Sequence, residues 1–499
     1  LLGMLWLRKR TFVEQERPGS PAPCSMVLRE SPFPNRLLSG LYSLGQYLLF
    51  PSYWAADCLL DLRETTAERQ QRRCCRCCPL RALVTGPLLL LLLILSMPSA
   101  LLGLLLWLPM QAARRPFAYK HNMLSRHPEV WELPGTGKVF SFVSANVCLL
   151  PNGLAKNSNL GQMKQRAARI GQCLTQGEAS ASFASPRSSQ FDGEREAGPR
   201  EISVPFPPDV DFVCLQEVFD QRAGAHLCQL LSPFYEHIVY DVGAYGLQGC
   251  CTLKVLSSGL FLASHYPVLA AQYRCYPNGI REDALSAKGL LSVQVRSCSS
   301  CGEPRAMGAL YELQPVTEPC PFPAHAQIRC DQLTMGLSWV QLFQDTHAQR
   351  GDVVAFDVFC GDFNFDNCSS GDELEQTHEI FRQYQDPCRV GPRQDRPWAI
   401  GTCLPTLLMA PRAPRRTLEQ EEGRRTYLAG PILQDGRPDP SAAGSPWEGR
   451  RIDYILYREH PTTISLTTEL EKFSFITQLA GCSDHVAVGL RLLLNAAPQ

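Results

Sequence analysis

Two textures follow one another along this chain. In the first 120 residues apolar positions come in long unbroken runs. Leu37–Ala56 carries no charge over 20 residues, and Leu83–Met110 carries none over 28 and contains LLLLLLILSMPSALLGLLLWL. Either length reaches across a hydrocarbon layer of about 30 Å. Pro51 interrupts the first run and Pro87 and Pro98 the second, and a ring without an N–H kinks or ends a helix. Two spans and two re-entrant hairpins both fit, and the prolines favour hairpins. Runs that begin this far in and are this long do not fit a cleaved signal peptide. From Gly137 onward the apolar runs shorten, with Gly, Pro and Asn between them. VFSFVSANVCLLP, VDFVCLQEVFD, SSGLFLASHYPV, GLLSVQVR, DVVAFDVFCGDFN, RRIDYILY and HVAVGLRLLL read as strands, and NLGQMKQRAARIGQCL and Asp331–Gln344 as helices. Strands with helices interspersed predict packed sheets with helices outside them.

The pattern divides the chain into a prefix (1–25) to which nothing is assigned, a membrane-associating module (26–120) with hydrophobic segments at 37–56 and 83–110, a juxtamembrane connector (121–136) and a globular domain (137–499). Within the last, residues 176–204 are Ser, Gly, Glu and Arg with few apolar positions, which predicts a flexible insert. Between the hydrophobic segments, RQQRRCCRCCPLR sets Cys74, Cys75, Cys77 and Cys78 among arginines. Cysteines beside a membrane segment are S-palmitoylation candidates, interleaved arginines suit an anionic lipid surface, and adjacent cysteine pairs lack the spacing of a zinc site. Arg114, Arg115 and Lys120 follow the second segment, which by the positive-inside rule puts the globular domain on the cytosolic side.

Composition narrows the function. Lys plus Arg and Asp plus Glu are both 48, so the chain as a whole carries no basic footprint for nucleic acid, which counts against a nucleic-acid enzyme without excluding one. The 22 cysteines sit among apolar strands of a long chain, where buried free thiols in a reducing compartment are the expectation. The sequon Asn367-Cys368-Ser369 lies three residues past Asn364, where a glycan would crowd the polar packet described next, again favouring a cytosolic face.

Polar residues recur where the strands end: Asn146 after FSFVSA, Glu217 after DFVCLQ, Asp362 and Asn364 in FCGDFNFDN, Asp453 in RRIDY, and Asp484-His485 in GCSDH. Residues two apart on a strand share a face, so Asp362 and Asn364 point together. Hard cations such as Mg²⁺ take few protein oxygens and bind substrate phosphate, and a His beside carboxylates is a candidate base whose tautomer an acid can fix. Metal, base, orienter and oxyanion donors are the parts for phosphodiester hydrolysis.

SANVCLLP, LQEVFD, CGDFNFDNCSS, RRIDY and SDH resemble the exonuclease-endonuclease-phosphatase (DNase-I-like) superfamily. ESPFPN, QAARRPFAY, YDVGAYGLQGCC, EDALSAKG, DPCR, PWAIGT, EGRR and FSFITQLAG extend the likeness, from about Met26 onward, to the neutral sphingomyelinases with an N-terminal membrane module. The short linker is similar to that of the mitochondria-associated member rather than the type 2 enzyme. The resemblance implies an α/β fold, a four-layer α/β/β/α sandwich of two packed sheets. It implies Mg²⁺, with Mn²⁺ as the alternative, bound by Glu217 with Asn146 nearby and Asp484 in the metal network. It makes His485 the base and Asp453 its orienting partner. Asp362 and Asn364 would position the nucleophile and stabilise the transition state, and Asp283 and Lys288 in EDALSAKG would be an activation-loop pair, which the residues alone would read as solvated. The implied substrate is sphingomyelin, the implied products ceramide and phosphocholine, and the implied activator an anionic phospholipid. The implied setting is an endomembrane, mitochondria- or endoplasmic-reticulum-associated, with no nucleic-acid partner.

One segment departs from the family. Where it carries a strand ending in Thr-His-Leu-His-Ala, this chain reads RSCSSCGEPRAMGALYELQPVTEPCPFPAHAQIRCDQL. Pro315, Pro319, Pro321 and Pro323 are poor central-strand residues, and His325, in a Pro-rich stretch expected to be loop, is not equated with the family histidine. Losing one phosphate donor costs roughly a hundredfold or more in rate. The expectation is a sphingomyelinase; the alternatives are a weak or inactive membrane-bound homologue and another activity of the superfamily, a nuclease or an inositol phosphatase.

Overall fold

In β2 (Lys138–Asn146) Phe140 and Phe142 face one way, Val143 and Ala145 the other, and all four are buried. A strand covered on both faces needs a layer on each side. The computed structural model describes residues 28–65, 78–124, 137–183, 200–203, 205–248, 252–296, 305–313, 323–349, 352–404, 407–408, 414–428, 449–459 and 466–496. Eight strands form the first sheet, in the order β1 (Ala118–His121), β5 (His237–Tyr240), β8 (Phe261–Ser264), β4 (Phe212–Gln216), β2, β17 (Ala487–Ala496), β16 (Leu466–Ile476) and β3 (Arg200–Ser203). Five form the second, in the order β15 (Asp453–Arg458), β12 (Asp352–Asp362), β11 (Arg305–Leu313), β10 (Gly289–Arg296) and β9 (Val268–Cys275). Two short ribbons, β6–β7 (Gly246–Gln248 with Thr252–Lys254) and β13–β14 (Arg389–Gly391 with Gln394–Asp395), lie outside both.

Phe142, Phe212, Val293, Leu310 and Phe356 fill the space between the sheets. Ile170 of α3 (Met163–Phe183) and Leu227 of α4 (Gln221–Leu231) cover the outer face of the first sheet beside Val143 and Val213. Leu333 and Val340 of α5 (Pro323–His347) cover the second beside Tyr311 and Phe359. This is the four-layer sandwich.

Three stretches differ from the sequence reading. Arg305–Leu313, where no strand was expected, is β11, antiparallel to β10 and parallel to β12 in the middle of the second sheet. The prolines begin beyond its end. Its weak apolar signal has a packing cause: a Cβ on Gly308 would run into the Phe356 ring, which packs on Phe140, Phe142 and Phe212. The insert assigned to 176–204 is narrower, because α3 continues to Phe183 and Arg200–Ser203 joins the first sheet as edge strand β3, parallel to β16. Finally, α5 starts at Pro323, whose ring fits a first helical turn, so His325 lies on a helix and not in a loop.

In the N-terminal module α1 (Arg36–Asp61) and α2 (Cys78–Gln111) run unbroken through their prolines, so neither segment folds back on itself as the re-entrant hairpin that the prolines favoured, and the two helices together form one helical hairpin. They pack antiparallel: Gly45 meets Gly103, and Ser52 Oγ lies 2.7 Å from Ser96 Oγ. Among the described residues Leu83–Gln111 is the one helix long and apolar enough to cross a membrane. By contrast α1 docks on the globular domain along one face. Tyr42 and Gln46 bond Gln221, Tyr53 Oη donates to Asp220 Oδ2 (3.1 Å), Asp57 Oδ1 accepts from Gly153 N–H (2.8 Å), and Asp61 pairs with Lys156 (3.2 Å). Leu37 and Leu44, on its far side, stay exposed. Arg114, counted from sequence among the basic residues that follow the second segment, is buried against Asp241 at 2.6 Å and over the Tyr245 ring, so it anchors the chain leaving α2. Cys74, Cys75 and Cys77 lie outside the described residues, and Cys78 is the first residue of α2. Residues 1–25 and most of the 121–136 connector are likewise outside them.

The close helix crossing gives a test. A Cβ on Gly103 would sit 2.9 Å from the Gly45 carbonyl oxygen, so Gly103→Leu overpacks the hairpin at a cost of about 1–3 kcal/mol. Disulfide formation between Ser52→Cys and Ser96→Cys is expected to be efficient in the otherwise unchanged chain and to drop in the Gly103→Leu background.

Candidate active site

Register brings the strand-end residues together. Asn146 and Gln216 pair at the ends of parallel β2 and β4, with Glu217 next in the chain, and Asp362 pairs with Asp453 across β12 and β15. Asn146 Nδ2 donates to Asp362 Oδ2 at 3.0 Å, joining the two sheets, and lies 3.4 Å from His485 Nε2. His485 Nδ1 is 2.8 Å from Asp453 Oδ2. Asp362 Oδ1 accepts from the Asn364 N–H at 3.0 Å, which is why β12 ends in Asp and Asn: the first acid closes the turn that aims the second amide. Asn364 takes a left-handed φ of +56°, which Asn tolerates, and Glu217 takes +61°, which costs a Glu more. Glu217 is held there by Leu149 N–H donating to its carbonyl and Val218 N–H donating to Gly259.

These groups are almost wholly buried, and their electrostatics follow from that. Burial pushes Glu217 up to about 7, helped by the Asp484 carboxylate and opposed by Lys288 and His485. Burial likewise pushes Asp362 up to about 6, with His485 opposing. Burial alone would lower His485, but Asp453 and Asp362 outweigh it and hold the imidazole well above its usual range. Asp484 Oδ1 and Asn364 Nδ2 are buried with no hydrogen-bond partner among the described residues. The Glu217 and Asp484 carboxylates are near enough to interact electrostatically, so the site gathers negative charge, and Asn364 supplies an amide nitrogen with no acceptor among the described residues.

Asp283 and Lys288 form a buried ion pair, 2.8 Å apart, rather than the solvated pair that the residues alone suggested. Lys288 is near enough to Glu217 to favour its charged form. His325 is not among the groups brought together here. Asp362, Asp453 and His485 also place ligand atoms within 4.8 Å of one another, although His485 Nδ1 is committed to Asp453.

Sequence reasoning missed the supports. Arg166 on α3 donates to the carbonyls of Cys148 (2.9 Å), Cys482 (2.8 Å) and Gly161 (2.9 Å), holding the loop after Asn146 against the loop before His485. Ser483 Oγ donates to the Asn146 carbonyl at 2.6 Å and accepts from the His485 N–H. Thr402, inside the quoted PWAIGT, accepts from the N–H groups of Ile452 and Asp453. Beneath the site, Glu312 of β11 accepts from Gln216 Nε2 at 2.8 Å across the sheets, and burial pushes its carboxyl well up. Of these, Thr402 in PWAIGT and Ser483 in SDH lie in motifs that could have flagged them.

The sequon is closed by the fold. Asn367 is fully buried, and its amide donates to the Gly391 carbonyl (2.9 Å) and Asp395 (2.6 Å), leaving no nitrogen for a glycan.

Comparison with known proteins finds the neutral sphingomyelinase N-terminal transmembrane region over residues 37–113 and the endonuclease/exonuclease/phosphatase family over residues 143–485. Sphingomyelin phosphodiesterase 5 of Danio rerio is 40% identical, over 94% of this chain and 99% of its own length. Its namesake in Mus musculus is 42% identical over 97% and 98%. Sphingomyelin phosphodiesterase 3 of Mus musculus is 33% identical over 95% and 100%.

Proposed function

Because this chain belongs to the neutral sphingomyelinase family, we propose that it hydrolyses sphingomyelin to ceramide and phosphocholine at a membrane surface, with His485 as general base. The observation that carries this reading is the chain of contacts Asp453–His485–Asn146–Asp362 across the ends of both sheets. Asp453 fixes the imidazole through Nδ1 and leaves Nε2 to take a proton from water, whose oxygen attacks phosphorus as the bond to the ceramide oxygen breaks. Asp362, bonded to Asn146, helps orient the water, and Asn364 Nδ2 is a donor for a phosphoryl oxygen. Asp283 and Lys288 set the charge beside Glu217.

The carboxylates of Glu217 and Asp484, near enough to interact electrostatically, suit a hard dication, so Mg²⁺, or Mn²⁺ in its place, would be held there with Asn146 nearby. That ion would offset the negative charge that develops on the phosphoryl oxygens. We further read the hairpin as lying at the membrane face, since the polar stripe of α1 is satisfied by the globular domain rather than by lipid. The buried Asn367 supports a cytosolic orientation. A mitochondria- or endoplasmic-reticulum-associated endomembrane, an anionic phospholipid activator, and palmitoylation at Cys74, Cys75, Cys77 and Cys78 belong to the same proposal.

The test is phosphocholine release from sphingomyelin in anionic-lipid micelles, with Mg²⁺ and then with EDTA, against DNA and an inositol phosphate as other substrates. Mg²⁺-dependent turnover of sphingomyelin alone is expected. No release from well-folded protein would favour the inactive homologue, in keeping with the absence of a histidine from β11. Cleavage of DNA or the inositol ester would move the assignment within the superfamily.

A pH profile checks the base. His485 works deprotonated, so kcat/KM should rise with pH and level off above its pKa. Asp453 raises that pKa, and Asp453→Asn should therefore move the rising limb to lower pH while lowering the plateau by about 10²-fold or more. A limb that stays in place would remove His485 from the role.

A further inference from the structure

We propose that His121, Glu236 and His237 form a second metal site, for a transition-metal dication of the zinc class, which fastens the strand that leaves the membrane hairpin to the edge of the first sheet. His121 closes β1 and His237 opens β5, and the two are paired directly in register. Cross-strand partners present their side chains on one face, and the imidazoles are stacked there, 4.8 Å between centroids and 8° from parallel. Glu236, one residue earlier, brings Oε1 to 3.0 Å from His121 Nε2 and 4.0 Å from His237 Nε2. All three donor atoms lie within 4.8 Å of one another. A tetrahedral zinc ion with bonds of about 2.0–2.2 Å needs donors roughly 3.3–3.5 Å apart, a spacing these distances bracket and that a rotation of the half-exposed His121 ring reaches.

The surroundings are those of a built site. His237 is 4% exposed and Glu236 9%, while the half-exposed His121 ring leaves room for water as a fourth ligand. Tyr119 Oη lies 2.7 Å from His237 Nδ1. A ring that gives its Nδ1–H to an oxygen presents Nε2 as the ligand, the orienting contact usual behind a metal-bound imidazole. The backbone beneath is tied as well: Asn122 N–H donates to the Glu236 carbonyl at 2.7 Å, and Asn122 Nδ2 to the Tyr235 carbonyl at 2.9 Å. Two imidazoles and one carboxylate suit zinc-like ions, whereas Mg²⁺ prefers an all-oxygen set.

Its position separates this cluster from the catalytic carboxylates. His237 pairs with Ser264 on β8, and Ser264 with Phe212 on β4, so the cluster lies at the end of the sheet where β4 begins, opposite Glu217. Because β1 starts seven residues after α2 ends, a metal there would stiffen the joint between hairpin and domain without touching substrate.

The experiment uses the full chain in detergent, stripped with EDTA and supplied with excess Mg²⁺ to occupy the catalytic carboxylates, then titrated with Co²⁺ and Zn²⁺. One equivalent of Co²⁺ should develop the visible bands of a tetrahedral nitrogen and oxygen site, without a thiolate charge-transfer band, and Zn²⁺ should displace it. Zn²⁺ should also raise the unfolding midpoint by several degrees. His121→Ala removes a half-exposed ring and should weaken binding at least tenfold and abolish the shift, with phosphocholine release unchanged. Glu236→Gln, a near-isosteric replacement, should do the same to binding. Unchanged Zn²⁺ binding in His121→Ala, a thiolate band, or the absence of Co²⁺ bands in the unmodified chain would each overturn the proposal.

Discussion

His485→Ala lowers phosphocholine release by on the order of 10³-fold, with the far-ultraviolet dichroism of the chain unchanged. A positioned base contributes about 10²–10⁴-fold, and His485 Nε2 is the group that Asp453 orients towards the site and Asn146 meets at 3.4 Å. The alanine also leaves the buried Asp453 carboxylate without its partner, and Asp453 Oδ1 already has none among the described residues. A fall in thermal midpoint is therefore expected beside the rate loss. His485→Gln, which keeps a polar group against Asp453, should recover much of the midpoint and little of the rate. Turnover within tenfold of the unmodified chain in either variant, at matched folding, would take the base role away from His485.

Glu217→Gln should abolish Mg²⁺-dependent turnover and, in EDTA above pH 7, make the chain more stable. Burial and Asp484 raise the folded-state pKa of Glu217 to about 7, above the usual carboxylate range. The folded protein thus holds this proton more tightly than the unfolded chain. Stability falls as pH rises from the unfolded value through about 7, by about 3 kcal/mol once ionisation is forced. Glutamine removes that cost. Without metal, the variant should unfold several degrees higher than the unmodified chain at pH 8, and the gap should close near pH 5, where Glu217 is mostly protonated. Mg²⁺ should stabilise the unmodified chain at pH 8 and leave the variant unmoved. An equal Mg²⁺ shift in both would place the ion elsewhere.

Among the strands, those that position the site were readable because each is an apolar run with a polar residue at one end, Asn146 closing β2, Asp362 closing β12 and Asp453 opening β15. Asn146, Asp362 and Asp453 were legible in that way. β11 was not, because packing Phe356 between the sheets demands a glycine at position 308, and a Gly-Ala-Met composition followed by prolines reads as loop when its neighbours are unknown. Arg166 lies in no motif, and the roles of Ser483 and Thr402 inside theirs were hidden for a different reason. Each has a backbone partner far away in sequence, Cys482 for Arg166, Asn146 for Ser483 and Asp453 for Thr402, and a side chain bonded to distant backbone leaves no local pattern. The burial of Arg114 was hidden for the same cause, since Asp241 and Tyr245, which enclose it, lie more than a hundred residues further along the chain.

What the sequence by itself determined is therefore the local part: two long apolar segments, strands alternating with helices, and a set of acids, amides and one histidine at strand ends, since periodicity and composition act over a few residues. The tertiary structure alone decided which of those ends meet. Parallel pairing of β2 with β4 and antiparallel pairing of β12 with β15 carry Asn146, Asp362, Asp453 and His485 into hydrogen-bonding distance. The same closure withdraws them from water, as it does Asp283 and Lys288. Burial in turn raises Glu217 and Asp362, and the neighbouring carboxylates outweigh it at His485, because the cost of charge depends on what surrounds a group in space and not on what precedes it in the chain.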